Sequence, residues 1–162
     1  MCGSTGEPLV GRYEMNKVNG VGITILVAED DEDNRFIMKT LLEMRGHRVV
    51  TAANGVEAVA TAERERPDLI LMDLRMPLLN GLAATRQLRQ HAQAHLRQTP
   101  IIALSAYDPT QHRAVAIAAG CNDYVTKPID YDRLENLIET YLPARTAPII
   151  QDSVAPTEPL SI

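Results

Sequence analysis

The sequence predicts an α/β fold, with a five-stranded parallel sheet covered by helices on both faces. Three observations carry that reading. Short apolar, β-branched runs alternate five times with segments of helical period or helix-favouring composition. The runs are mostly continuous rather than alternating in polarity, as in strands buried on both faces. Most of them also end in a polar or charged residue, at the edge where open parallel sheets bind their ligands.

ITILVA (23–28) reads as the first strand. Ile37, Leu41 and Met44 then recur on one helical face with Leu42 beside them, until Gly46 stops the helix. RVVTA (48–52) is the second strand, and the Ala- and Glu-rich residues 55–65 form a helix closed by Pro67. DLILMD (68–73) is the third strand. Pro77 and Gly81 break the chain before a helix over 81–91. PIIALS (100–105) is the fourth strand, followed by an Ala-rich, close-packing helix over 110–119 that Gly120 ends. DYVTK (123–127) is the fifth. The last helix starts near Asp130 with a one-sided stripe of Leu134, Leu137, Ile138 and Tyr141.

One domain is expected over residues 23–142. Residues 1–22 read as a flexible N-terminal arm, and Met15 is an alternative start of translation. Residues 143–162, rich in Pro and polar residues, read as a disordered tail, either solvated linker or a docking segment. No internal repeat is seen.

The formal net charge of −5 and the absence of Trp argue against direct nucleic-acid binding, and Phe36 is the sole Phe. No apolar run is long enough to span a bilayer, and the first residues lack the pattern of a signal peptide. Cys2 and Cys121 lie far apart without a C-x-x-C, so neither a structural disulfide nor a thiolate metal site is expected. Cys121 reads as a packing residue, and the expected location is cytoplasmic.

The chemistry should sit where the strands end: Glu29 and Asp30, Asp73, Ser105, and Lys127 with Pro128 after it. Each residue alone is an ordinary turn or cap former. Convergence on one edge gives them a joint meaning. Carboxylates within a few ångströms repel by roughly 4 kcal/mol per pair near a surface, which a raised pKa or a cation relieves. Hard oxygen ligands around a small open site suit Mg²⁺. A nearby lysine and hydroxyl could stabilise a phosphoryl group attacked by a carboxylate. No G-x-G-x-x-G follows the first strand and no G-x-x-x-x-G-K-[ST] occurs, so a glycine cradle for phosphate is excluded.

The run VAEDDEDN (27–34) divides accordingly. Glu29 and Asp30 turn into the site. Asp31 stands at a helix N-cap, and Glu32 and Asp33 occupy the first turn, where the macrodipole favours negative charge. His91 and His95 have a spacing that could share a helical face and hold zinc given a third ligand, but their context reads as a polar helix end.

The pieces ILVAEDD, PDLILMDLRMPLLNG, PIIALSA and GCNDYVTKP, in this order, resemble the receiver domain of two-component response regulators. The resemblance covers residues 23–142 and implies a flavodoxin-like (βα)5 doubly wound sandwich of strand order 2-1-3-4-5. By position it implies that Asp73 is the phosphoacceptor. Asp30, Asp73 and the backbone carbonyl of Arg75 would bind Mg²⁺, or Mn²⁺ in its place, with Glu29 acting through water. Ser105 would reach the phosphoryl oxygen and Lys127 would pair with the phosphoryl group, ahead of a cis peptide to Pro128. Tyr124 would be the aromatic switch that moves inward on activation, its alternative being a half-buried sheet residue.

Implied partners are a histidine kinase or phosphotransfer protein carrying phosphohistidine, and a downstream protein that reads the face of the fourth strand-linking helix, the fifth strand and the last helix. A phosphorylation-dependent dimer is a further implication. The domain would catalyse only its own phosphorylation and dephosphorylation. Glu29 replaces the more usual Asp at the first acidic position. Arg75 and Tyr107 flank the site at positions that tune phosphoryl lifetime in the family. Arg75 is expected to shield or contact the phosphoryl group, the alternative being a solvated side chain. The leading reading is a stand-alone regulator of the cell-cycle type. A receiver from a hybrid kinase, or an interaction module independent of phosphorylation, are the alternatives.

Overall fold

The computed structural model describes residues 22–142. The expected tail and all of the expected arm except Gly22 lie outside the described residues. Strands β1 (Thr24–Ala28), β2 (Arg48–Ala52), β3 (Leu69–Asp73), β4 (Ile101–Ser105) and β5 (Asp123–Thr126) form one sheet of order β2-β1-β3-β4-β5. Every pairing is parallel. The helices are α1 (Glu32–Met44), α2 (Gly55–Glu65), α3 (Gly81–Arg89), α4 (Ala94–Gln98), α5 (Pro109–Ala119) and α6 (Tyr131–Tyr141).

The sheet separates two apolar clusters. Alternate strand residues Ile25, Val27, Leu69, Leu71, Ile102 and Leu104 pack with Met38 and Leu42 of α1 and Leu134 and Ile138 of α6. The intervening Leu26, Ala28, Ile70, Met72 and Ala103 pack under α2 to α5. Every residue of β3 and β4 is buried, which is why their sequences show no polar alternation. The Ala58, Ala62, Ala84 and Ala116 methyls are fully buried, so the Ala-rich helices are close packers.

Parallel winding starts each strand-linking helix at the carboxyl edge of the sheet. At the start of each of the five longer helices a carboxylate or amide caps a free backbone N–H. Asp31 accepts from Asn34, Asn54 from Glu57, Asn80 from Ala83, Asp108 from Thr110, and Asp130 from Asp132 and Arg133.

Two expectations fail locally. On α1 the inward residues are Met38 and Leu42, whereas Ile37 and Met44 are exposed. The Ile37–Leu41–Met44 stripe therefore lies off the buried face, and Ile37 instead lines a cavity of about 480 Å³ with Met38, Ile129 and Tyr131. The helix expected over 81–91 ends at Arg89, and the separate α4 follows it. His91 and His95 thus share no helical face. His91 pairs with Glu63 at 2.8 Å, and His95 meets the Arg66 guanidinium.

Candidate functional site

β1, β3 and β5 bring four charged groups to one point on the carboxyl edge. Carboxylate oxygens of Glu29, Asp30 and Asp73 lie within 4.8 Å of one another. The Lys127 ammonium enters from the end of β5 and donates to Glu29 Oε2 at 2.5 Å and to Asp73 Oδ2 at 3.0 Å. The Lys127–Pro128 peptide bond is cis. Asp73 Oδ1 accepts the Arg75 backbone N–H at 3.0 Å, so both oxygens of that carboxylate are held.

The surroundings are graded. Glu29 is 1% exposed and Asp73 5%, while Asp30 is open to solvent. Burial pushes the Glu29 carboxyl above the usual glutamate range; the Lys127 hydrogen bond offsets this only in part, and the Asp73 charge adds to it. Burial alone would lower the Lys127 pKa, but hydrogen bonds and charge from Glu29 and Asp73 together raise it above the ordinary lysine value. The ammonium is therefore charged at neutral pH. Three carboxylates face one ammonium, so the cluster retains negative charge and hard oxygen donors, the set that suits a small divalent cation.

The scaffold holds this constellation through backbone contacts. Arg35 donates to the Glu29 carbonyl at 2.8 Å and the Asp30 carbonyl at 3.2 Å, which ties the acidic turn to α1. A Cβ at Gly81 would fall 2.1 Å from the Asp73 carbonyl oxygen, so only glycine lets α3 start this close behind Asp73. Gly81 appears in the sequence only as a chain breaker; its place directly after the cap Asn80 is the signal that it opens a helix against a strand end.

Ser105 ends β4 almost fully buried, and its Oγ accepts the Tyr107 N–H at 3.1 Å. Tyr124 is 2% exposed with its hydroxyl on the Tyr107 carbonyl at 2.9 Å, so its ring sits inward. The Arg75 side chain extends to the Tyr107 hydroxyl at 2.9 Å. Cys121 is buried, and burial raises its thiol pKa, consistent with packing rather than reactivity. No helix among the described residues is long and apolar enough to cross a membrane.

Residues 25–139 match the family described as response regulator receiver domain. The chain belongs to that family. It is 37% identical to protein PilH of Pseudomonas aeruginosa over 118 residues, which covers 73% of this chain and 96% of the relative. Among solved structures it resembles the receiver domain of a Pseudomonas aeruginosa sensor histidine kinase with a magnesium ion coordinated in its active site cleft. That match has 41% identity and a TM-score of 0.68, covering 74% of this chain and 97% of that one. It also resembles a Saccharomyces cerevisiae receiver domain co-crystallised with its histidine phosphotransfer protein, at 29% identity and a TM-score of 0.69, covering 80% and 94%. The receiver is thus a module of two-component phosphorelay signalling, not an enzyme that turns over an outside substrate.

Proposed function

We propose that this receiver accepts a phosphoryl group onto Asp73 from a phosphohistidine donor and passes the signal on through protein contacts. The observation that carries the reading is the Lys127 ammonium bridging Glu29 and Asp73 inside the acidic cluster. Asp30, Asp73 and the Arg75 backbone carbonyl would hold Mg²⁺ or Mn²⁺, with Glu29 acting through water. When bound, the cation supplies positive charge for the equatorial phosphoryl oxygens.

An Asp73 oxygen attacks phosphorus in line. The oxygen–phosphorus bond forms, the nitrogen–phosphorus bond to the donor imidazole breaks, and the imidazole leaves with the electron pair. Lys127 offsets the charge that gathers on the phosphoryl oxygens. Ser105 then turns its hydroxyl toward the new acyl phosphate, and α5, β5 and α6 carry the change to a partner. Hydrolysis of the acyl phosphate at the same site resets it.

The domain boundary at 23–142, a cytoplasmic location and a stand-alone regulator are parts of the same proposal. PilH, nearly all of which is spanned by the match, supports the stand-alone reading. The kinase-derived neighbour favours a hybrid-kinase receiver as the second reading. Mass measurement after incubation with Mg²⁺ and a small phosphodonor tests the chemistry. Wild type should gain one phosphoryl group and Asp73→Asn none. An unmodified wild type would point to an interaction module independent of phosphorylation.

A further inference from the structure

The mouth of the acidic site carries contacts that phosphoryl transfer does not require. Arg75 leaves the β3–α3 loop and crosses to the β4–α5 loop, where its Nη1 donates to the Tyr107 hydroxyl at 2.9 Å. Its guanidinium carbon lies 5.5 Å from the centroid of the Tyr107 ring. The same ring stacks on His112 of α5, with centroids 4.6 Å apart and planes inclined by 30°. Although 41% exposed, Tyr107 is therefore held from two sides of the opening.

The Tyr107 backbone is equally engaged. Its N–H donates to Ser105 Oγ at 3.1 Å, and its carbonyl accepts the Tyr124 hydroxyl at 2.9 Å. Tyr124 packs in the same core cluster as Ala103, Ala116 and Cys121. A buried tyrosine hydroxyl needs a partner. Here the partner is a carbonyl on a short loop, so whatever fixes that loop decides whether the inward ring is satisfied. A cation over a ring is weak at an exposed site. Combined with a directional hydrogen bond and a stack on the same ring, it becomes a cross-loop clamp.

We propose that Arg75 is a positioning residue for the switch: by clamping Tyr107 it holds the β4–α5 loop in the arrangement that seats Tyr124 inward before any phosphoryl group arrives. The proposal deepens the functional reading above by assigning its switch a resting position. An arriving phosphoryl group then draws on the Ser105 side of a loop already in place, and the α5–β5–α6 face is partly prepared in the unmodified chain.

The test reads Tyr124 directly, in Mg²⁺-free buffer with no phosphodonor. Fluorine NMR of fluorotyrosine-labelled protein reports ring burial, with the Tyr124 resonance assigned by its loss in Tyr124→Phe. Wild type should give a dominant buried Tyr124 signal beside a minor outward one. Arg75→Ala and Tyr107→Ala should each raise the outward population roughly fivefold, about 1 kcal/mol at 1.4 kcal/mol per tenfold. The double variant should go no further than either single, because the two residues act as one unit. Arg75→Lys, which keeps a cation and a donor, should restore part of the inward signal. An unchanged Tyr124 signal in Arg75→Ala, or additive effects in the double variant, overturns the proposal. No phosphoryl chemistry enters this measurement, so failure of Asp73 to accept phosphate would sink the functional reading and leave the clamp result standing.

Discussion

The two ends of the sheet handle partly buried charge in opposite ways. At the carboxyl end, three carboxylates cluster and the one ammonium pairs with only two of them, Glu29 and Asp73. At the amino end, the Arg89 guanidinium donates to the carbonyls of Gly120, Leu96, Arg97 and Thr99 and to Asn122 Oδ1. Asn122 Oδ1 in turn accepts the Ile101 N–H, which joins the starts of β4 and β5. One charge is saturated by fixed neutral dipoles, and its interactions are complete within the fold. The other cluster is undercompensated and has chemistry left to offer. Charge alone does not mark a functional edge; unmet charge does.

The sharpest way to break this comparison is at the unmet edge. Asp30→Ala should lower Mg²⁺-dependent phosphorylation by roughly 100-fold or more, since a direct ligand matters at least as much as an outer-shell partner. Phosphate incorporation over time measures it, and near-normal incorporation would remove Asp30 from the site. At the saturated edge, Arg89→Ala should cost about 2 to 3 kcal/mol of stability by urea denaturation, because it strips donors from half-buried carbonyls. Phosphorylation of the folded fraction should stay near wild type. A large loss of phosphorylation without a loss of stability would erase the division between the two ends.

Smaller effects sharpen it. Saturating Mg²⁺ should raise the stability of wild type by about 1 to 2 kcal/mol through linkage. Thermal unfolding should show the same gain in Arg89→Ala and none in Asp30→Ala. Smallest of all, Glu32→Gln should leave the phosphorylation rate within about twofold, because an exposed first-turn acid serves the helix macrodipole and little else. Equal losses from Asp30→Ala and Glu32→Gln would show that the acidic run has not been divided correctly.

Much of this was legible in the sequence, for a physical reason. Strands buried on both faces must be written as apolar runs, so a charged residue at the end of a run stands out; Asp73 after LILM and Glu29-Asp30 after TILVA are such cases. The cap Asp31 was legible because a helix starting after a parallel strand needs an acceptor there. The buried face of α1 was not. Its exposed Ile37 and Met44 are as apolar as the buried Met38 and Leu42, and periodicity cannot tell a core stripe from a cavity lining. α4 is only 5 residues long, too short to show a period. Arg89 was invisible because four of its partners are backbone carbonyls, which leave no trace in residue identity. The clamp on Tyr107 was missed for another reason: the sequence placed Arg75 beside the site but could not say which way its side chain points.

The ion pair between Lys127 and Glu29 joins residues 98 positions apart, and its partner bond to Asp73 spans 54. That spacing has a consequence in time. The acidic turn leaves the ribosome long before the lysine that tames it, and no local hairpin can bring them together; β1, β3, β4 and β5 must first be laid side by side. Long-range contacts of this kind form late and slowly. The charge pairing of the acidic cluster is therefore complete only once the last strand of the sheet is in place.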